Sequence, residues 1–231
     1  MKILVVTSYN NTLYNEYAHR FRSTYNWPFE LLVYNEDSDF YTKVPQLKKF
    51  VERNKSKVIN DKLKDFWKDG VRFCYKVYAY TDAIMKNSKN YDGIIGIDAD
   101  SVFYNRIDAE WIRQHIHRDD CMMSYLGRGS HYSECGFLYW NCKHSHTFKF
   151  AQEMQDMYNK DLIYNERQQH DSFIWDIVRK RFEANYGIKN HNLGDGKTGH
   201  VQARSILGSV YDHTKGRRKV SGKSPEFERR R

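Results

Sequence analysis

The chain has 231 residues, 40% of them hydrophobic and 16% aromatic, with 3 Pro and 13 Gly. That length and composition suit one α/β domain with a well-filled core and exclude a low-complexity or linker-rich chain. The formal charge of +9 would suit nucleic acid if it were spread over one face, but it is concentrated at one end.

Lys2–Val6 (KILVV) is predicted as a fully buried strand. Polar residues follow it at once, so no signal peptide is read there. Tyr14–Tyr25 has helical spacing, with Tyr14, Tyr17, Phe21 and Tyr25 near one face. Phe29–Tyr34 predicts a second strand and Asn35–Phe40 an acidic turn. Val44–Asn54 predicts a short helix, and Lys55–Asp69 an irregular charged stretch. Val71–Met85 predicts a helix through Phe73, Val77, Tyr80 and Ile84. Tyr91–Ile97 (YDGIIGI) predicts a third buried strand. Asp108 is placed to cap a helix that runs to His117. Cys121–Leu126 and Gly136–Trp140 predict two more strands, and Ser145–Asn159 and Glu166–Phe182 two amphipathic helices. From Tyr186 onward the Gly, His and basic residues predict loops. Strands alternating with helices point to a mostly parallel, Rossmann-like α/β sheet covered on both faces. Residues 1–231 read as a single domain ending in a basic tail over about 212–231. Eight Lys/Arg against three Asp/Glu leave that tail at +5.

Cys74, Cys121, Cys135 and Cys142 show no CxxC spacing. Free buried thiols in a reducing cytoplasm are the expectation. No apolar run approaches 18 residues, so no transmembrane helix is predicted.

Gly96-Ile97-Asp98-Ala99-Asp100 carries the clearest chemistry. Two carboxylates at i and i+2 follow an apolar strand, and open α/β sheets bind ligands beyond the carboxyl ends of their strands. Such oxygen ligands suit Mn²⁺ or Mg²⁺, which neutralises a leaving diphosphate. A solvated acidic turn is the plain alternative. The pattern resembles the DxD metal site of GT-A glycosyltransferases. That resemblance implies that Asp98 and Asp100 are metal ligands and that Asp98 also contacts the donor.

Near the other end, His213, Gly216 and Lys219 spell H-x-x-G-x-x-K. This resembles the C-terminal motif of glycosyltransferase family 8, the glycogenin-like retaining enzymes. Val220-Ser221 stands where that family usually has Pro-Trp. The resemblance implies His213 as third ligand, with Lys219 on the donor diphosphate. Lys215, Gly216 and Arg217 lie in the same stretch as further phosphate contacts, since Gly permits close backbone approach and cations neutralise the leaving group. Ser133-Glu134-Cys135-Gly136 is similar to the family's F-N-[SA]-G segment, with Glu134 in place of Asn. Glu134 is a candidate sugar contact or base, or a structural carboxylate. Gln168-Gln169-His170-Asp171-Ser172 resembles the family's D-Q-x-x-x-N region, and Asp171 is a candidate contact for the reacting sugar or a helix cap. Thr7, Tyr9, Asn10 and Tyr14, at the end of the first strand, look like a GT-A nucleotide pocket, and Lys76 is a candidate phosphate contact. Similar S-E-C-G-F, H-D-S and D-H-x-K-G segments occur together in bacterial and phage glycosyltransferase-like proteins.

The resemblance implies a metal-dependent transfer from a nucleoside-diphosphate sugar, UDP-sugar favoured, to a glycan, lipid or protein acceptor. Retention of configuration is slightly favoured, and Glu134 leaves inversion open. A nucleotidyltransferase is the nearest rival, but Thr7–Tyr14 holds no Gly-rich phosphate loop. A non-catalytic binder of nucleic acid or anionic surfaces is the other rival. No nucleic-acid motif supports specific DNA or RNA recognition. The tail would also suit peripheral contact with a membrane.

Overall fold

The computed structural model describes residues 1–59, 65–216 and 218–228. Its centre is a six-stranded sheet of β1 (Ile3–Tyr9), β2 (Glu30–Asn35), β3 (Gly93–Ile97), β5 (Cys121–Arg128), β6 (His131–Asn141) and β7 (Lys189–Asn192), in the order β2-β1-β3-β6-β5-β7. Only β6 runs against the others. A two-stranded sheet of β4 (Ser101–Phe103) and β8 (Tyr211–His213) stands apart from it.

β1 is buried on both faces, as its unbroken apolar run requires. Leu4 and Val6 join one core cluster, and Ile3 and Val5 another on the opposite face. The first cluster is closed by the helices Gly70–Asn87, Thr147–Asn159 and Asp171–Tyr186, through Val77, Tyr80, Phe150, Met154, Ile174 and Trp175. The second holds Phe21, Trp27, Phe103, Ile112 and Tyr211. All four cysteines are free thiols.

Several elements differ from the sequence expectation, each for a physical reason. The Tyr14–Tyr25 helix is interrupted by a π-helical turn, Tyr14–Ala18. The extra residue in that turn moves Tyr14 off the buried face, leaving it 40% exposed while Phe21 is buried. The helix expected from Glu166 begins at Asp171, because Gln169 N donates instead to Trp67 O at 2.6 Å. Of the expected irregular stretch Lys55–Asp69, residues 60–64 lie outside the described residues. Its flanks form short 3₁₀ turns, Lys55–Lys57 and Phe66–Lys68. The expected loops after Tyr186 contain β7, β8 and the short helix Val201–Arg204.

The first residues of the basic tail pack into the fold. Asp212, His213 and Thr214 are buried. Asp212 accepts from Ser224 N at 2.6 Å and Ser224 Oγ at 2.7 Å, tying the following segment back to β8. Removing a buried acceptor pair of this kind costs about 1–3 kcal/mol. Asp212→Ala is therefore expected to lower stability in urea unfolding by that order and to speed protease cleavage between Lys215 and Lys223.

Candidate active site

The apolar run of β3 ends at Ile97 and delivers the chain to Asp98-Ala99-Asp100. Asp98 N donates to Gly136 O at 3.1 Å, fixing where the turn begins. The chain then enters β4, where Ser101 lies opposite His213 of β8. Thr214 adds two further ties, its N and Oγ1 donating to Asp100 O at 2.9 and 2.6 Å. These bonds carry a residue from near the C-terminal end onto the mid-chain turn.

The outcome is a compact cluster. His213 Nε2 stands 3.4 Å from Asp98 Oδ2 and 3.0 Å from Asp100 Oδ1. One ligand atom from each of the three lies within 4.8 Å of the others. Gly136 makes room for the imidazole, because a Cβ there would stand 2.3 Å from His213 Nδ1 and Cε1. His213 Nδ1 is buried without a hydrogen-bond partner among the described residues, and the contact of Asp100 Oδ1 with His213 Nε2 is not aligned as a regular hydrogen bond. Orphaned buried acceptors cost free energy unless something else meets them. Two carboxylates and an imidazole form a donor set that can hold Mn²⁺, and Mg²⁺ less readily because it prefers oxygen alone.

Cations surround this cluster. Lys219 Nζ lies 3.1 Å from Asp100 Oδ2 and 4.1 Å above the Tyr17 ring. Lys215 pairs with Glu134, whose Oε2 is also 3.5 Å from Arg128 Nη1. Lys76 Nζ donates to Asp98 Oδ1 at 2.8 Å and pairs with Asp171. Burial raises the Asp100 pKa, but His213 and Lys219 outweigh it and hold the carboxyl well below its usual range. Burial pushes Lys76 down, but Asp171 and Asp98 more than reverse this and keep it charged. Burial raises Asp171, and Lys76 brings it below the ordinary value. Burial lowers His213, and Asp100 followed by Asp98 raises it overall.

Strand β6 distributes its side chains to two sides of the site. Glu134 and Gly136 lie toward His213, with Glu134 Oε1 3.6 Å from His213 Nδ1. Cys135 turns the other way, its Sγ 3.1 Å from Lys76 Nζ, 3.0 Å from Asp171 Oδ2 and 2.7 Å from Ser172 Oγ. Pairing with β5 is irregular here, jumping from Ser124↔Tyr139 to Leu126↔Glu134. Such irregularities re-aim side chains beside sites. Asp171 is the first residue of its helix and not its cap, and its carboxylate is committed to Lys76.

The structure thus brings together Asp98, Asp100, His213, Glu134, Lys76, Asp171, Lys215 and Lys219. Gly216 has a left-handed φ of +65° between the two lysines. Arg217 lies outside the described residues. Thr7 is fully buried at the end of β1, its Oγ1 without a hydrogen-bond partner among the described residues. Asn10 caps the next turn by accepting from Leu13 N at 2.8 Å, and the Tyr9 and Tyr14 rings lie 5.8 Å apart. Sequence reasoning missed Arg128, Cys135, Ser172 and Glu36 as members of the site or its margin. Alternation along β6 was the available signal for Cys135. Glu36 follows β2, its N donating to Tyr9 O at 3.1 Å and its Oε2 accepting from Asn10 Nδ2 at 3.2 Å. Burial pushes its pKa up to about 7, with Asp37 adding and hydrogen bonds from Ser8 and Asn10 opposing.

No protein-family model matches the chain, and no curated protein matches it. Among solved structures, the bifunctional glycosyltransferase WbbM aligns with a TM-score of 0.51 at 11% identity, over 93% of this chain and 46% of that one. The chain shares the fold of that glycosyltransferase. It spans less than half of the WbbM chain. A glycosyltransferase involved in glycosylation of the major capsid of PBCV-1 aligns at 0.46 and 8% identity, over 96% of this chain and 97% of that one. Mouse xyloside xylosyltransferase 1 aligns at 0.48 and 10% identity, over 84% and 86%.

Two outcomes follow from the local geometry. Gly136→Ala is expected to displace the His213 ring, changing its ¹H–¹³C NMR shifts and costing about 1–3 kcal/mol. Glu36 binds its proton more tightly folded than unfolded, so its contribution is full below the ordinary carboxylate range and is lost as pH rises through about 7. Glu36→Gln should therefore gain stability over wild type at pH 8, on the order of 1 kcal/mol, with no such gain at pH 4. Urea titrations at the two pH values check this.

Proposed function

We propose that the chain is a metal-dependent glycosyltransferase that moves a sugar from a nucleoside-diphosphate sugar, UDP-sugar favoured, to a glycan, lipid or protein acceptor. The observation that supports it best is the convergence of Asp98, Asp100 and His213 beyond the end of β3, ringed by Lys76, Lys215 and Lys219. The shared fold with WbbM is consistent with this reading but, at 11% identity, carries fold alone.

Asp98, Asp100 and His213 would hold Mn²⁺, or Mg²⁺, which when bound places positive charge against the diphosphate. Lys215 and Lys219 exchange their carboxylate partners for diphosphate oxygens and stabilise the leaving group. Gly216 lets the backbone approach those oxygens, and Arg217 extends the same basic run. Thr7, Tyr9, Asn10 and Tyr14 hold the base and ribose at the end of β1. Lys76 keeps Asp171 ionised and turned toward the donor sugar. Glu134 is held by Lys215 and, at 3.5 Å, by Arg128, so its carboxylate is already occupied and is not free to take a proton from an acceptor hydroxyl. That favours retention of configuration over inversion by Glu134.

The binder reading is less favoured, because Lys215 and Lys219 turn inward onto carboxylates. A nucleotidyltransferase lacks its Gly-rich loop in residues 7–14. No described helix is long and apolar enough to cross a membrane. A cytoplasmic location and a peripheral membrane contact through the last residues belong to the proposal.

Thermal shifts with UDP-, GDP-, CMP- and dTDP-sugars, each with and without Mn²⁺, test the reading. One donor, a UDP-sugar first, should raise Tm only with the metal, as expected of a ligand that binds the folded state alone. Asp100→Ala should lose that metal dependence. A donor shift that ignores Mn²⁺, or an Asp100→Ala shift equal to wild type, refutes it.

A further inference from the structure

Beside Asp171 lies an aromatic surface that the donor chemistry leaves unused. His170 is buried, its Nδ1 3.9 Å from Asp171 Oδ1. The rings of Phe66, Phe73, Tyr132 and Phe173 surround it, with centroids 5.9, 6.1, 4.4 and 6.2 Å from the imidazole. These four rings are only half-buried, unlike the core aromatics Phe50 or Phe137. Trp67, 5.5 Å from Phe66, carries the surface outward and is 37% exposed. They come from three separate parts of the fold: the 3₁₀ turn with the start of the Gly70–Asn87 helix, the start of β6, and the start of the Asp171–Tyr186 helix.

Two exposed guanidiniums edge this surface, besides the half-buried Arg128, which lies 4.7 Å from the Tyr132 ring centroid and pairs with Glu134. Arg72 stands 5.5 Å from the Phe73 ring centroid and Arg167 5.0 Å from that of Phe173. Both are exposed, and neither pairs with a carboxylate among the described residues. A lipid chain would gain from the rings and nothing from the guanidiniums. A sugar ring offers a C–H face to stack on an aromatic, and an acidic substituent offers oxygens to guanidinium.

We infer that this platform seats the acceptor, and that the acceptor is a saccharide bearing an anionic group, a carboxylate or a phosphate. This rests on the glycosyltransferase reading, since it is the nearness of Asp171 that makes the bound saccharide an acceptor. Stacking on the exposed Trp67 supplies affinity, and Arg72 with Arg167 supplies the preference for negative charge.

A glycan array probed with the full chain tests this, carrying uronate-bearing, phosphate-bearing and neutral glycans on the same backbones. Anionic glycans should bind about fivefold better than their neutral counterparts. The doubly substituted Arg72→Ala, Arg167→Ala protein, altered only at exposed positions, should lose that preference and keep the neutral level. Trp67→Ala should weaken all glycans about tenfold. Equal binding of neutral and anionic glycans, binding to none, or binding unchanged by Trp67→Ala overturns the inference. The array needs neither donor nor metal. Its failure leaves the donor thermal-shift result standing, and failure of the donor screen leaves a positive array standing.

Discussion

The site depends on one backbone oxygen. Asp100 O accepts from both the N and the Oγ1 of Thr214. This pair of hydrogen bonds from a residue 114 positions away, continued by the three-residue ladder of β4 and β8, is what seats His213 over the acidic turn. Closing so long a loop costs chain entropy. The ladder alone is too short to offset it, since isolated two-stranded sheets are marginal. Burial of Tyr211 against Phe103 and Trp27, with ring centroids 5.7 and 6.1 Å apart, supplies apolar area at the same place. Core packing and the polar site are thus secured by the same strand pair.

Around that anchor, charge alternates in space. Asp98, Asp100, Glu134 and Asp171 interleave with Lys76, Arg128, Lys215 and Lys219. Desolvating any one of these alone would be expensive, and mutual pairing offsets part of that cost. A network of this kind adds little net stability. Its effect is to hold the charged groups in fixed mutual orientation. Space is equally constrained, for any side chain at Gly136 would collide with the imidazole of His213.

Much of this was legible in the sequence, and the limits have physical reasons. The strands β1 and β3 are apolar runs buried on both faces, so they read clearly, and the strand-end aspartates read with them. His213 was legible through its H-x-x-G-x-x-K spacing, but the strand holding it was not, because three residues show no period. β6 was recognised only from Gly136 onward; its polar start, His131–Cys135, looks like loop yet is where the site's side chains divide between two sides. Tyr14 was misplaced by a π-helical turn that a 3.6-residue period cannot anticipate. Lys76 and Asp171 were each legible as candidates. Their pairing was not, since it joins two helices far apart in sequence.

The central claim is that Asp98, Asp100 and His213 share one divalent cation. The most direct test is pulsed electron paramagnetic resonance of the Mn²⁺-loaded protein, with and without ¹⁵N-histidine labelling. The account predicts nitrogen modulation from a single bound imidazole, changed in frequency by the label and lost in His213→Gln. A manganese spectrum of free aqueous ion, or a bound ion with no nitrogen coupling, would contradict it.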